Sequence, residues 1–256
     1  MSKLYLGIDT TAGRRPFTYA LLDEKLAIQD CGEGRFDEVV DLVTGRRPDV
    51  VAVDAPQSPN HGLMTRADVR RRYGLAADGK GWRDCKVCEY EMRRHGIGLY
   101  LTPGDPARAP AWMQTGFRLY AALRDLGYPI WRPGAAGERA LLEVHPHGCF
   151  TVLLGRRPLR KDTLEGRLQR QLVLYDEGLD VPDPMEAVEE LTPHHLRAGT
   201  LTFPGLRTHD ELDALAAAYT ACLADQHPER VTPVGDPEEG QIILPVAPDD
   251  FKERYR

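Results

Sequence analysis

The chain has 256 residues, 42% of them hydrophobic, and 33 Lys and Arg against 39 Asp and Glu give a formal net charge of -6. That apolar content supports a substantial core, and the acidic balance excludes a protein that binds nucleic acid by overall basicity. Five dispersed cysteines exclude a secreted disulfide framework; no apolar run approaches the roughly 18 residues that span a bilayer and no signal pattern opens the chain, so a cytoplasmic protein away from membranes is expected.

Leu4 to Ala12, LYLGIDTTA, reads as a buried strand that ends in a carboxylate, Asp9, followed by Thr10 and Thr11. Apolar runs from Phe17 to Leu22 and from Leu26 to Cys31 follow at hairpin spacing, which predicts a meander. Phe36 to Thr44 places Phe36, Val39, Val40 and Val43 at helical spacing, and Val50 to Pro56, VVAVDAP, is a strand that again ends in an acid, Asp54. Strand, strand, strand, helix, strand is the order a mixed sheet needs for the fourth strand to lie parallel beside the first. Asp9 and Asp54 then stand side by side at one sheet edge, where they repel and raise each other's pKa unless a cation intervenes. Hard oxygen donors suit Mg²⁺ or Mn²⁺. A turn cap is the other use of an aspartate at a strand end.

Gln57 to Pro110 is irregular and rich in Gly, Pro and charge, with helical stretches around Thr65 to Tyr73 and Glu89 to His95; it reads as an insertion over the sheet edge. Cys85 and Cys88, with His95, Cys149, His145 or His147, are the available ligands for a zinc ion, although no second cysteine pair accompanies them. From Pro110 to Gly127 the stripe of Trp112, Met113, Phe117, Tyr120, Leu123 and Leu126 predicts a helix packed on the core. After a short extended piece, Pro129 to Trp131, the run from Arg139 to His145 reads as a buried strand with a third acid, Glu143, near its end. His145 and His147 beside Pro146 are phosphate contacts, acid-base groups, ligands or local caps.

Helices are predicted over Cys149 to Leu154 and Thr163 to Gly178, then a Pro-rich link from Val181 to Pro193 leads to a short helix. Thr208 to Ala224 begins with a capping box, Thr208 and Glu211, and presents Asp210 and Asp213 on one side of its first turn, above a thin face of Ala214, Ala217, Ala218 and Ala221. Gln241 to Val246 is the last strand. Arginine clusters at Arg14-Arg15, Arg46-Arg47, Arg70-Arg71-Arg72, Arg93-Arg94 and Arg156-Arg157, with Arg160-Lys161 close behind, suit phosphate oxygens or solvated helix faces. No Walker loop, dinucleotide fingerprint or Gly-x-Ser-x-Gly elbow is present.

GID with Asp9, VDAP with Asp54, CEYEMRRHGIGLYLTP from Cys88, LEVHPHGCF from Leu142, HDELDALAAA from His209 and the closing GQIILP, taken in order, resemble the domain-of-unknown-function 429 family, predicted nucleases of ribonuclease H-like fold. The resemblance implies one α/β domain over residues 1–256, a mixed sheet flanked by helices, with the insertion at about 57–110. The last helix is similar to that of Holliday-junction resolvases, which implies a metal role for Asp210 and Asp213. Such a site would carry two ions held by Asp9, Asp54, Glu143, Asp210 and Asp213, with Asp9, Asp54, Glu143 and Asp213 catalytic. Arg14, Arg15, Arg93 and His145 would hold the phosphates of a DNA or RNA substrate. GIDTTAG followed by FTYALLD is also similar to the phosphate hairpin of actin-like ATPases and sugar kinases, which implies a nucleotide-dependent phosphotransferase instead; a non-catalytic ribonuclease H-like scaffold is the third expectation.

Overall fold

The structure, a computed structural model, describes residues 2–12, 15–134, 139–189, 191–200 and 202–256. It opens with an antiparallel meander of β1 (Leu4–Asp9), β2 (Phe17–Asp23) and β3 (Ile28–Gly34). Asp23 makes the second turn, accepting bonds from the backbone N–H of Lys25 and Ala27, with Leu26 left-handed at φ 62°. Leu26 therefore belongs to that turn, and β3 starts two residues later than the apolar run suggests. After α1 (Phe36–Arg46), β4 (Val50–Asp54) lies parallel to β1, and β5 (Ala140–Glu143) parallel to β4. The antiparallel pair β6 (Thr232–Asp236) and β7 (Gly240–Leu244) completes the sheet, whose order is β3-β2-β1-β4-β5-β7-β6. A meander on one side of the first strand and parallel strands on the other is the ribonuclease H-like arrangement, an α/β mixed sheet.

Alternation along the central strands sends side chains to two cores. Leu6, Ile8, Val51, Val53 and Leu141 pack under α1 and α4 (Ala111–Asp125), while Tyr5, Ala52, Leu142 and Val144 meet α9 (His209–Gln226). α9 comes very close to β1 because of Gly7: a Cβ there would lie 2.1 Å from the Ala214 carbonyl oxygen and 2.4 Å from the Ala218 nitrogen. Lys3 Nζ and Tyr5 OH, each 2.7 Å from Asp225 Oδ2, tie the same two elements together at their other end. The alanine face of α9 supplies the rest of that close contact.

The segment 57–110 carries α2 (Ala67–Arg72) and α3 (Val87–Arg94) over a small core of Leu63, Met64, Val69, Cys85, Val87 and Tyr90. α3 packs on the edge strand β6, where Gly235 (φ 110°) leaves room for Cys88; a Cβ at Gly235 would sit 2.5 Å from that of Cys88. β6 is absent from the sequence expectation because its own residues, TPVGD, include Pro and Gly, which an edge strand tolerates and a propensity reading rejects. Beyond β5 come α5 (Pro146–Leu154), which starts earlier than expected with Pro146 in its first turn, and α6 (Leu164–Asp176). Short helices α7 (Pro184–Glu189) and α8 (Pro193–Ala198) lead to α9.

Candidate active site

Asp9 and Asp54 are direct register partners in the parallel β1/β4 pair, so their side chains leave the sheet edge on the same face. That face is the one covered by α9, and Gly7 lets the helix descend until its first turns bring Asp213 to the same place. Thr208 and Glu211 close the reciprocal capping box that starts α9, with the Thr208 hydroxyl accepting from the Glu211 N–H at 3.2 Å. The three aspartates share a cleft of about 400 Å³ whose walls include His145, His147, Lys161, Arg170, Tyr100 and Trp112.

Charge in this cleft is concentrated and poorly hydrated. Asp9 is 8% exposed and Asp213 3% exposed. Burial, then the charges of Asp54 and Asp213, push the Asp9 carboxyl well above the usual carboxylate range, and Lys161 offsets only part of this. Asp213 is also raised by burial, against the pull of Lys161. Lys161 Nζ donates to Asp213 Oδ2 at 2.7 Å. Burial works against its charge, but Asp213, Asp9 and Asp54 together keep the ammonium more firmly protonated than usual. The lysine is the resident cation of the aspartate cluster. Among the described residues no three His, Cys, Asp or Glu side chains are gathered closely enough to hold a metal ion as they stand, and with the ammonium on Asp213 the donor set is engaged elsewhere. In kind the donors fit a hard divalent cation: three aspartates, no sulfur, and more negative charge than one lysine neutralises.

The other predicted residues distribute unevenly. Glu143 pairs in register with Val53, one place off Asp54, so it leaves the sheet on the opposite face. There it accepts from the Gln57 N–H at 3.0 Å and faces the fully buried Lys86. It belongs to a separate buried group in which Glu89 accepts from the N–H of Lys86 and Thr102, and Glu239 from those of His61 and Val87. Glu143 is absent from the wall that Asp9 shares with Asp213, but it lines an adjoining pocket together with Asp54 and His145. Asp210 stands outside the cleft wall, its Oδ1 2.8 Å from His209 Nδ1. His145 is in the cleft, with Nε2 3.0 Å from the Gly98 carbonyl and Nδ1 3.9 Å from Asp54 Oδ1. Burial lowers its pKa, and the bond and charge of Asp54 more than reverse that. Burial holds its neighbour His147 at about 4.

Arg15 lies in a different pocket, Arg93 bonds the Leu99 carbonyl at 2.8 Å outside the cleft, and Arg14 is outside the described residues. Cys85 and Cys88 are buried thiols whose pKa burial raises, Cys85 to about 12, and its sulfur lies 3.2 Å from the Trp82 carbonyl. Among the described residues no set of donors that could hold zinc surrounds them. Three cleft residues escape a sequence reading. Lys161 looks like one more member of a basic surface run, yet it turns inward while Arg160 pairs with Asp162 at 2.6 Å. Arg170 reads as part of an amphipathic helix, but it is buried over the Phe150 ring, gives Nη1 to the Leu159 and Gly166 carbonyls, and leaves Nε without a partner among the described residues. Tyr100, 75% exposed, stands at the cleft edge with its ring 5.9 Å from Trp112.

A family model described as "Protein of unknown function (DUF429)" matches residues 7–239. No protein with a curated description matches the chain. Among solved structures, T. thermophilus RuvC in complex with a Holliday junction substrate is similar with 14% sequence identity and a TM-score of 0.36, over 87% of this chain and 94% of that one. A likeness of that size leaves function to the geometry of the site.

Proposed function

The chain belongs to the DUF429 family, whose description assigns no activity, so its chemistry has to be argued from the cleft; we propose a divalent-cation-dependent phosphodiesterase that acts on nucleic acid. The observation that carries this is the meeting of Asp9, Asp54 and Asp213, from β1, β4 and α9, in one cleft at the carboxyl edge of the sheet. Two buried aspartates, Asp9 and Asp213, beside the half-buried Asp54 are unfavourable as isolated charges and favourable as ligands for Mg²⁺ or Mn²⁺.

In this reading Asp9, Asp54 and Asp213 hold the ion, and Glu143 is part of the fold. A bound ion supplies Lewis acidity at the phosphodiester and lowers the pKa of a water. With an ion held by the aspartates, Lys161 would be free of Asp213 and could offer its ammonium to the phosphate. His145, held through Nε2 by the Gly98 carbonyl and with its pKa raised by Asp54, is placed to give a proton from Nδ1 to a leaving oxygen. Arg170 contributes a fixed positive charge in the cleft wall, and Tyr100 with Trp112 presents aromatic surface on which a base can stack.

The Lys161–Asp213 contact also favours a second reading, a ribonuclease H-like scaffold in which the lysine alone neutralises the acids. Titrating Mn²⁺ into the wild type and the Asp9→Asn variant, then incubating both with labelled single-stranded, duplex and branched DNA and RNA, decides between them. The expected result is heat of binding and strand cleavage that both disappear in Asp9→Asn. Cleavage that survives Asp9→Asn sinks the proposal, and absence of both in the wild type selects the scaffold.

A further inference from the structure

A second pocket, of about 210 Å³, lies where the β1–β2 connection meets α1 and α4, and Arg15, Arg35 and Arg118 line it with Phe36, Asp37 and Thr115. Among the described residues none of the three guanidinium groups has a carboxylate within 4.0 Å, although Asp37 is in the same wall. Arg118 is laid over the Phe36 ring at 4.8 Å, which limits where its fork can point. All three arginines are exposed and open to an anion from outside, and guanidinium forks match phosphate oxygens.

Strand register fixes where this pocket is. Thr18 pairs with Asp9, and Phe17, beside it, pairs with Gly34, which precedes Arg35. The arginine pocket therefore opens at the same end of the strands as the aspartates, on the side covered by α1 and α4, while the aspartates lie on the side covered by α9. α4 connects the two: Trp112 is in the wall of the acid cleft, while Thr115 and Arg118, three and six residues further along the helix, are in the wall of the arginine pocket.

We infer that Arg15, Arg35 and Arg118 form a phosphate subsite for a single-stranded nucleic acid whose reacting diester lies in the Asp9 cleft, the strand passing from Tyr100 and Trp112 across the sheet edge along α4. This rests on the reading of the cleft as the reacting centre and narrows its substrate from nucleic acid in general to a single strand long enough to reach both sites. A small phosphoester fills only the first of the two sites. Base stacking at one end and arginine contacts to the backbone at the other give affinity without base readout.

The test is fluorescence anisotropy of labelled oligodeoxynucleotides of two and of ten residues, in Ca²⁺ buffer over a range of salt, with the full chain and its Arg35→Gln/Arg118→Gln variant. The wild type is expected to hold the decamer at least tenfold more tightly than the dinucleotide. The variant loses most of that gain, and its salt slope falls by about 1.4, the share of two backbone phosphates on a single strand. Thr115→Glu, which puts a negative charge in the same pocket, is expected to lose the gain as well, so a folding defect of the double variant leaves the question answerable. A length gain and salt slope unchanged in both variants overturn the subsite, as does a wild type with no preference for length. Arginine-dependent binding with no cleavage in Mn²⁺ keeps the subsite and removes the hydrolase, whereas cleavage with no arginine dependence does the reverse.

Discussion

At the scale of single residues, the candidate site is a contest between a tethered cation and a free one. Lys161 neutralises part of the Asp9, Asp54 and Asp213 cluster at no cost in bound ions, and any metal has to displace it. Lys161→Met is expected to bind Mn²⁺ at least tenfold more tightly than the wild type by calorimetry, about 1.4 kcal/mol; equal or weaker binding would mean that the lysine and the ion do not share a place. His147 makes a pH-dependent contribution of its own. Burial, helped by the charges of His145, Arg170 and Lys161, holds its imidazole near 4, below the ordinary 6.5. Between those values the unfolded chain binds a proton that the folded one refuses, so stability falls as pH drops from 6.5 towards 4 and is level above 6.5. His147→Gln should remove about 1 kcal/mol of the loss seen between pH 7 and pH 5 in urea unfolding, a figure discounted for partial exposure. The aspartates were legible in the sequence because strand ends and the first turn of a capped helix are local features. Their lysine was not, since nothing in an exposed-looking Arg-Lys pair says which of the two turns inward.

Elements carry the geometry through spacing. Gly7 is where β1 admits α9, and the helix brings Asp213 with it. Gly7→Ala changes no charge, but it drives a methyl group into helix backbone that cannot yield as a side chain would. A destabilisation of about 2–3 kcal/mol is expected from chemical denaturation, with Mn²⁺ binding lost or strongly weakened as Asp213 is lifted from Asp9. Unchanged metal affinity would show that α9 does not set the site. Most of the element order could be read from periodicity and caps, including the parallel placement of β4 beside β1. Register could not, and it bears on Glu143: an acid at the end of a third inner strand has even odds of either face, and the pairing with Val53 turns it to the face opposite Asp54, towards Lys86, at a pocket adjoining the cleft. β6 was hidden for a related reason, because an edge strand with Pro233 and Gly235 owes its existence to β7 and α3 more than to its own residues.

For the molecule as a whole, the segment 57–110 is held by buried charge. Lys86 is fully buried and faces Glu143 of β5, Glu89 of α3 and Glu239 of the β6–β7 turn; burial disfavours its ammonium, and these acids more than restore it. Lys86→Met removes the positive member and leaves the carboxylates inside, a loss of about 3–5 kcal/mol where a buried group is broken on one side. Limited proteolysis should then cut within 57–110 before the sheet, and a variant as resistant as the wild type would show that the apolar core of the segment suffices. The sequence marked this stretch as an insertion by its irregularity, but its anchoring depends on acids from two distant places, Glu143 and Glu239, beside the local Glu89, and no local pattern announces such a meeting.

The embrace of β1 by α9 also has a consequence in time. Asp9 and Asp213 are 204 residues apart along the chain, and they meet only when β1 receives α9. Until then the meander and its neighbours have no partner for the face that Tyr5 and Gly7 present, and contacts of such long sequence separation form slowly. The acid cleft is thus assembled late in folding, and the contact that covers this face of β1 is the same contact that creates the site.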